Sequence, residues 1–137
     1  MIGVLDASAF GPIVLAEERN LALRGLAAAL ACEGMAVPAY WRVEVANLLL
    51  VASRRGRLPP EEQDRAFRTF ESVIVEVQES PTDRLVGPTW LLAERHKLTM
   101  YDAGYLELAT RLNLPLATHD AALIRAAKAE NVDLFGR

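Results

Sequence analysis

The chain has 137 residues, of which 52% are hydrophobic, and a net charge of −3 from 15 basic and 18 acidic residues. This length predicts a single domain over residues 1–137 that buries a core without a disulfide or structural metal, and the apolar content excludes a disordered tail. The acidic excess argues against a basic protein that coats nucleic acid, but not against an enzyme whose carboxylates hold a cation beside bound phosphates.

Two features predict a soluble protein of the cytoplasm. Cys32 is the only cysteine, so no internal disulfide can form and a reducing compartment suits the chain. The first residues show no basic leader, and charged residues interrupt each apolar stretch well short of the roughly 20 residues that span a bilayer. We therefore expect neither a targeting segment nor contact with a membrane.

Short apolar runs predict the strands. Residues 2–5, 73–77 and 115–118 are expected to be buried strands, and residues 35–37 and 132–134 are weaker candidates. These runs alternate with helical segments, a pattern typical of a parallel sheet covered on both faces. The sequence therefore predicts an α/β fold, with a central parallel β-sheet flanked by α-helices in three α/β/α layers.

Helical periodicity and helix boundaries predict helices over residues 21–31, 41–55, 59–70, 82–97, 101–112 and 121–130. The second of these has apolar residues at positions 45, 48, 49 and 52, which form one helix face. Pro59 and Pro60 open the third, with Glu61 and Glu62 in the first turn, where the helix dipole favours acids.

Four acidic residues stand out by position. Asp6 follows the first predicted strand and Asp120 follows a later one, and the carboxyl ends of parallel strands form the crevice where ligands bind. Glu44 lies early in its helix between Val43 and Val45, which makes an ordinary solvated position doubtful. The fourth residue, Asp102, opens a helix.

Each of these acids also has a local interpretation. Asp6 and Asp120 could cap the helices that follow them, Asp102 could be a first-turn acid, and Glu44 could lie on an exposed stripe. Four independent caps need not meet at one edge of one sheet, however. Carboxylates that do meet repel one another unless a cation neutralises them, and Mg²⁺ or Mn²⁺ prefers oxygen ligands. The chain has no cysteine and histidine spacing typical of a zinc site.

Four segments occur in the order and at roughly the intervals seen in PIN domains: residues 4–9 (VLDASA), 43–47 (VEVAN), 101–103 (YDA) and 117–120 (ATHD). The resemblance extends from residue 2 to residue 135 and is strongest to the VapC-type toxins of bacterial and archaeal toxin–antitoxin pairs. It implies a metal-dependent ribonuclease that cleaves RNA phosphodiesters with a metal-activated water and leaves a 5′-phosphate. It also implies the residues that hold Mg²⁺ or Mn²⁺, namely Asp6, Glu44, Asp102 and Asp120.

Other residues acquire supporting roles from the same resemblance. Ser8 and Thr118 match positions where a hydroxyl often supports the acidic cluster, although local capping explains them equally well. Asn47 lies one helical turn after Glu44 and could help to orient it. Arg42 is the candidate for holding the RNA backbone.

The resemblance further implies a small cognate antitoxin and a homodimer. A segment of the antitoxin would lie in an apolar groove and send a basic side chain into the acidic site. Residues 60–70 and several N-terminal leucines offer apolar faces for such contacts, or are simply core: Leu15, Leu21, Leu23 and Leu26.

Alternative enzymes are poorly matched. A haloacid-dehalogenase-type phosphotransferase needs a second Asp two residues after the first, where this chain has Ser8. A response-regulator receiver needs paired acids near Asp6 and a lysine after the last strand, and no glycine-rich nucleotide loop is present. The remaining alternative is a PIN-like module that binds RNA or protein without cleaving it.

Overall fold

The computed structural model describes residues 1–137 and contains one four-stranded sheet, flanked by α-helices, in which every strand pair is parallel. The strand order is β3-β2-β1-β4. The strands are β1 (Val4–Leu5), β2 (Met35–Pro38), β3 (Val75–Gln78) and β4 (Leu116–Ala117). Val4 pairs with Ala36 on one side and with Leu116 on the other. The predicted α/β fold with a central parallel sheet is confirmed.

The helices are α1 (Ala7–Val14), α2 (Leu26–Cys32), α3 (Trp41–Arg54), α4 (Pro60–Ser72), α5 (Thr82–Arg84), α6 (Trp90–His96), α7 (Met100–Leu112) and α8 (Ala121–Ala129). A 3-10 helix covers Ala16–Leu21. None of these helices is long and apolar enough to cross a membrane.

Helix α3, which carries Glu44, is held to the body of the protein by one stripe of side chains. The stripe recurs every three or four residues and consists of Trp41, Val45, Leu49 and Ala52, all buried. The Trp41 ring packs edge-on against Phe10 of α1 at 5.4 Å and against Phe70 of α4 at 5.7 Å between ring centroids. Aromatic burial of this kind fixes the position of α3 beneath the site.

Two predicted helices are wrong in their extent. The helix expected over residues 21–31 begins only at Leu26, because Gly25 has the left-handed φ of 80° and ends the irregular segment after the 3-10 helix. The segment 82–97 is not one regular helix but bends at Gly87, whose backbone is non-helical. Pro88 follows Gly87 and lacks the amide proton that a continuous helix would use.

One strand differs from its prediction in burial. Residues 73–77 were expected to form a buried strand, but β3 lies at the edge of the sheet and pairs only with β2. Glu76 and Val77 are consequently exposed, the latter by 42%. Residues 132–134 contribute a single bridge, from Leu134 to Leu116 of β4.

The apolar faces proposed for partner contacts are partly core. Leu15, Leu23 and Leu26 are all buried and are therefore unavailable to a second chain, whereas Leu21 is 53% exposed. On α4, Phe67 is 45% exposed. Of the predicted faces, Leu21 and Phe67 are therefore the apolar side chains that remain accessible to a partner.

Candidate active site

The sheet order brings the two acidic strand ends together. Strand β1 lies between β2 and β4, so the connections after β1 and before β4 diverge to opposite sides of it. A crevice opens at such a point, outside the carboxyl ends of the strands. Asp6 follows β1 directly, and its amide donates a 3.0 Å hydrogen bond to the carbonyl of Ala117, the last residue of β4.

Asp6 is the most buried of the predicted acids, with 5% of its surface exposed. It occupies the residue before α1, but its side chain makes no capping hydrogen bond there. Its Oδ2 atom instead accepts hydrogen bonds from the Ser8 hydroxyl at 2.6 Å and the Thr118 hydroxyl at 2.7 Å. The local capping interpretation therefore does not apply to Asp6, and both hydroxyls support this carboxylate.

The same two hydroxyls hold the loop after β4. The Ser8 Oγ accepts the amide proton of His119 at 2.9 Å, and the Thr118 Oγ1 accepts that of Asp120 at 3.0 Å. Each hydroxyl thus donates to the carboxylate of Asp6 while accepting from the main chain. The position of Asp6 is thereby tied to the backbone that carries Asp120.

Asp120 and Asp102 have the local roles that the sequence also allowed. Asp120 precedes α8, and its Oδ1 caps that helix by accepting the Leu123 amide proton at 2.9 Å. The Thr99 hydroxyl caps α7 by accepting the amide proton of Asp102 at 3.1 Å. Capping occupies only one oxygen of Asp120 and neither carboxylate oxygen of Asp102.

Glu44 lies half-buried in the first turn of α3, and its Oε1 accepts a hydrogen bond from the hydroxyl of Tyr105. Asn47 was expected to orient Glu44, but its side chain is exposed and makes no hydrogen bond to it, because α3 turns Asn47 outward. Val43 does not shield Glu44 either, being 71% exposed. Arg42 is exposed and forms no ion pair, so it is available to an anionic ligand.

The carboxylates of the site repel one another electrostatically. Burial raises the pKa of Asp6, the hydroxyls of Ser8 and Thr118 oppose this, and repulsion by Glu44 and Asp120 adds to it. Glu44 and Asp120 therefore lie near enough to Asp6, at one edge of the sheet, to repel its carboxylate.

The pKa values of Asp102 and Glu44 are raised as well. Burial raises the pKa of Asp102, with repulsion by Asp6 and then Asp120 adding to it. The pKa of Glu44 is raised by burial and by Asp102, against the lowering effect of the Tyr105 hydrogen bond. A bound cation would relieve this repulsion for every member of the group.

The donor set fits a hard divalent cation. Every donor is a carboxylate or hydroxyl oxygen, and the one cysteine of the chain is exposed on α2. No three acidic, histidine or cysteine side chains already lie close enough together to form a finished coordination cluster. The chemistry of the site therefore suits Mg²⁺ or Mn²⁺, while the full set of ligand contacts is not preformed.

A tyrosine cluster beside the acids was missed by the sequence analysis. Tyr40, directly before α3, packs edge-on against Tyr105 and Tyr101 of α7, with ring centroids 5.6 and 5.2 Å apart. Its hydroxyl donates a 2.7 Å hydrogen bond to the carbonyl of Tyr101. The only sequence signal was that Tyr105 falls three residues after Asp102, on the same side of a helix.

Arg137 is a second residue that the sequence analysis missed. One guanidinium nitrogen donates to the carbonyl of Thr118 at 3.1 Å and to Nδ1 of His119 at 3.2 Å. The structure therefore places the positively charged guanidinium of Arg137 beside the loop that carries Asp120. Nothing in the local sequence around residue 137 indicated this contact.

Comparison with known proteins decides the family. The sequence matches the PIN domain profile over residues 3–129, which includes all four acids. The chain belongs to the PIN domain family. This PIN domain is 31% identical over 121 residues to Ribonuclease VapC3 of Pyrobaculum aerophilum, covering 88% of this chain and 90% of that one. It is 41% identical over 66 residues to Ribonuclease VapC1 of Mycobacterium tuberculosis, covering 48% of each.

The fold of this PIN domain is also found in a solved structure. The crystal structure of PAE2754 from Pyrobaculum aerophilum superposes with a TM-score of 0.66 at 25% identity, covering 92% of this chain and 86% of that chain. The family assignment and the α/β architecture therefore agree with the resemblance drawn from the four short motifs.

Proposed function

We propose that this PIN domain is a metal-dependent endoribonuclease and the toxin of a VapBC-type toxin–antitoxin pair. The observation that carries the proposal is the burial of the Asp6 carboxylate between two hydroxyls at the edge of the sheet. Glu44 and Asp120 repel this carboxylate, and Asp6 and Asp120 in turn repel that of Asp102. The two relatives named as VapC ribonucleases support the same function. Such a crowded set of acids costs stability and is expected at a functional site.

The four acids share one part in the proposed chemistry, and three other residues support them. Asp6, Glu44, Asp102 and Asp120 would hold Mg²⁺ or Mn²⁺, which supplies an activated water and offsets the charge that develops on the phosphodiester. Ser8 and Thr118 orient Asp6 and favour its ionised form by donating hydrogen bonds to it. Arg42, unpaired near the start of α3, is the proposed contact to the RNA backbone.

An RNA-cleavage assay tests this function. Purified protein is incubated with several structured RNAs in the presence of Mg²⁺ or Mn²⁺, and then with EDTA. Asp6→Asn keeps the shape of the side chain and an acceptor for both hydroxyls, so it should fold and yet lose cleavage. Asp64→Asn makes the same chemical change on the exposed surface of α4 and should cleave as the wild type does.

Cleavage that survives EDTA or Asp6→Asn would refute metal-dependent catalysis at this site. The alternative, a PIN module that binds RNA or protein without cleaving, predicts RNA binding with no product for wild type and both variants. Arg42→Ala separates the substrate contact from the chemistry, because it should raise KM for RNA and leave kcat nearly unchanged.

An antitoxin is the proposed protein partner, and the surface offers a groove for it. A cavity of about 510 Å³ lies between α3 and α4 and is lined mainly by apolar side chains, including Leu49, Leu50 and Phe67. Coexpression with a candidate antitoxin, a small protein encoded beside this gene where one exists, should give a stable complex that no longer cleaves RNA. Leu50→Glu should weaken that complex, and an unchanged complex would exclude this groove.

Homodimerisation is also proposed. The segment around Gly87 and α6 expose Val86, Trp90 and Leu91 by 68, 51 and 58%, and large apolar side chains exposed near one another are typical of protein interfaces. Light scattering should show a dimer that Trp90→Ser weakens. A monomer at all concentrations would contradict the dimer without affecting the proposed catalysis.

A further inference from the structure

Tyr105 joins the two helices that carry Glu44 and Asp102. It lies on α7, three residues after Asp102, and its side chain is fully buried. The hydroxyl crosses to α3 and donates a hydrogen bond to Glu44 Oε1. No other hydrogen bond of the Glu44 carboxylate is present, so Oε2 remains without a protein partner.

The surroundings leave Tyr105 little freedom. Its ring packs edge-on against Tyr40, with an interplanar angle of 84°, and the Tyr40 hydroxyl is itself held by the Tyr101 carbonyl. This packing requires Gly104, because a Cβ atom there would lie 2.0 Å from the Tyr40 hydroxyl. The cluster therefore aims the Tyr105 hydroxyl in a fixed direction, and that direction is Glu44.

The hydrogen bond has a consequence for Glu44. A glutamate on a partly exposed helix face has three rotatable side-chain bonds, and binding a cation would have to immobilise them. With Oε1 held by a buried hydroxyl, that immobilisation is already largely achieved in the folded protein. Groups that hold a ligand in this way commonly change metal affinity or activity when removed.

We propose that Tyr105 is a positioning residue that holds Glu44 by Oε1 and so presents the unbonded Oε2 to a divalent cation beside Asp6 and Asp102. The inference rests on the proposed metal-dependent function and deepens it. It assigns a role to a residue outside the four acids, acting through Glu44 and not on the substrate.

The test is Mn²⁺ binding by isothermal titration calorimetry on the full chain, with RNA cleavage measured in parallel. Tyr105→Phe keeps the buried ring and removes only the hydroxyl. We expect about 10–100-fold weaker Mn²⁺ binding, a similar fall in kcat, and an unchanged KM for RNA. Thr110→Val is the control, since it removes a hydroxyl of the same helix that only bonds back to the Leu106 carbonyl, and it should leave Mn²⁺ affinity unchanged.

A double-mutant cycle shows whether Tyr105 acts through Glu44. In a Glu44→Gln background, Tyr105→Phe should cause no further loss of Mn²⁺ affinity, whereas a general packing defect would add its full effect. The inference would be overturned if wild type and Tyr105→Phe bound Mn²⁺ with equal affinity, or if Tyr105→Phe and Thr110→Val weakened binding equally. Failure of the wild type to bind Mn²⁺ is a separate result, which would overturn the proposed metal-dependent function itself.

Discussion

Thr118 donates a 2.7 Å hydrogen bond to the carboxylate of Asp6 across 112 positions of sequence. The contact exists because β1 and β4 are parallel neighbours, so that the residues following them emerge side by side. Thr118 is fully buried and Asp6 nearly so. A carboxylate in that position depends on its donors, since water cannot replace them.

Thr118→Val should therefore weaken both stability and the site. The change preserves shape, but leaves Asp6 short of a donor and the Asp120 amide without its acceptor. We expect a loss of about 1–3 kcal/mol in the free energy of unfolding, measured in urea. Thr110→Val is the control, because that exposed hydroxyl only bonds back to the Leu106 carbonyl within α7. Equal effects of the two changes would refute a special role for Thr118.

The pH dependence of stability should reveal the cost of burying the charged carboxylate of Asp6. Burial, followed by repulsion from Glu44 and Asp120, raises the pKa of Asp6 above its ordinary value of 3.8. An acid whose folded-state pKa is raised stabilises the protein most below its unfolded pKa, and that stability is lost as pH rises through the folded pKa. Asp6→Asn cannot ionise and escapes this loss.

Without divalent cations, Asp6→Asn should consequently be more stable than wild type at neutral pH, and the difference should shrink towards about pH 4. Urea unfolding in EDTA at several pH values measures it. A variant that is less stable than wild type at neutral pH would show that the lost charge-assisted hydrogen bonds outweigh the burial of the charge.

Gly104→Ala tests the packing of the tyrosine cluster. The new methyl group would lie 2.0 Å from the Tyr40 hydroxyl and 3.2 Å from the adjoining ring carbon. Alanine favours the helix by about 1 kcal/mol over glycine, but overpacking costs about 1–3 kcal/mol, so we expect a net loss of stability. In α1, Gly11→Ala meets its nearest atom at 3.4 Å and should be neutral or stabilising. Thermal unfolding compares the two, and a stabilised Gly104→Ala would refute the crowding.

Glu107 is a buried carboxylate, 4% exposed, that holds two arginines from different segments. It accepts hydrogen bonds from Nε of Arg84 in α5 at 2.8 Å and from Nε of Arg111 in α7 at 2.9 Å, and Nη2 of Arg84 lies 2.7 Å from the same carboxylate. Glu107→Gln should cost about 2–3 kcal/mol of unfolding free energy, below the full value for a buried pair because both arginines keep some contact with water. Urea is the suitable denaturant, since a salt would screen the ion pairs.

The control for Glu107→Gln is Asp64→Asn, which breaks the exposed pair that Asp64 forms with Arg68. Surface pairs of this kind contribute little, so no measurable change is expected. If Glu107→Gln were equally harmless, the link between α5 and α7 would not depend on this carboxylate.

Local features of the sequence were enough to predict most elements. The period of Val45, Leu49 and Ala52 predicted α3, and the apolar runs before Asp6 and Asp120 predicted β1 and β4. Helix content and strand position depend on near neighbours in the chain, and these signals survive without knowledge of the fold. The four acids were identified in the same way, from their positions at strand ends and helix starts and from their motifs.

Contacts between distant segments could not be predicted in this way. The exposure of β3 depends on its place at the sheet edge, and the failure of Asn47 to support Glu44 depends on how α3 packs. Tyr105 reaches Glu44 across 61 residues, because the fold brings α7 beside the first turn of α3. The sequence by itself determined which residues are candidates for binding a cation. Only the tertiary structure decided which side chains hydrogen-bond to those candidate residues, since sheet order and helix packing are properties of the whole folded chain.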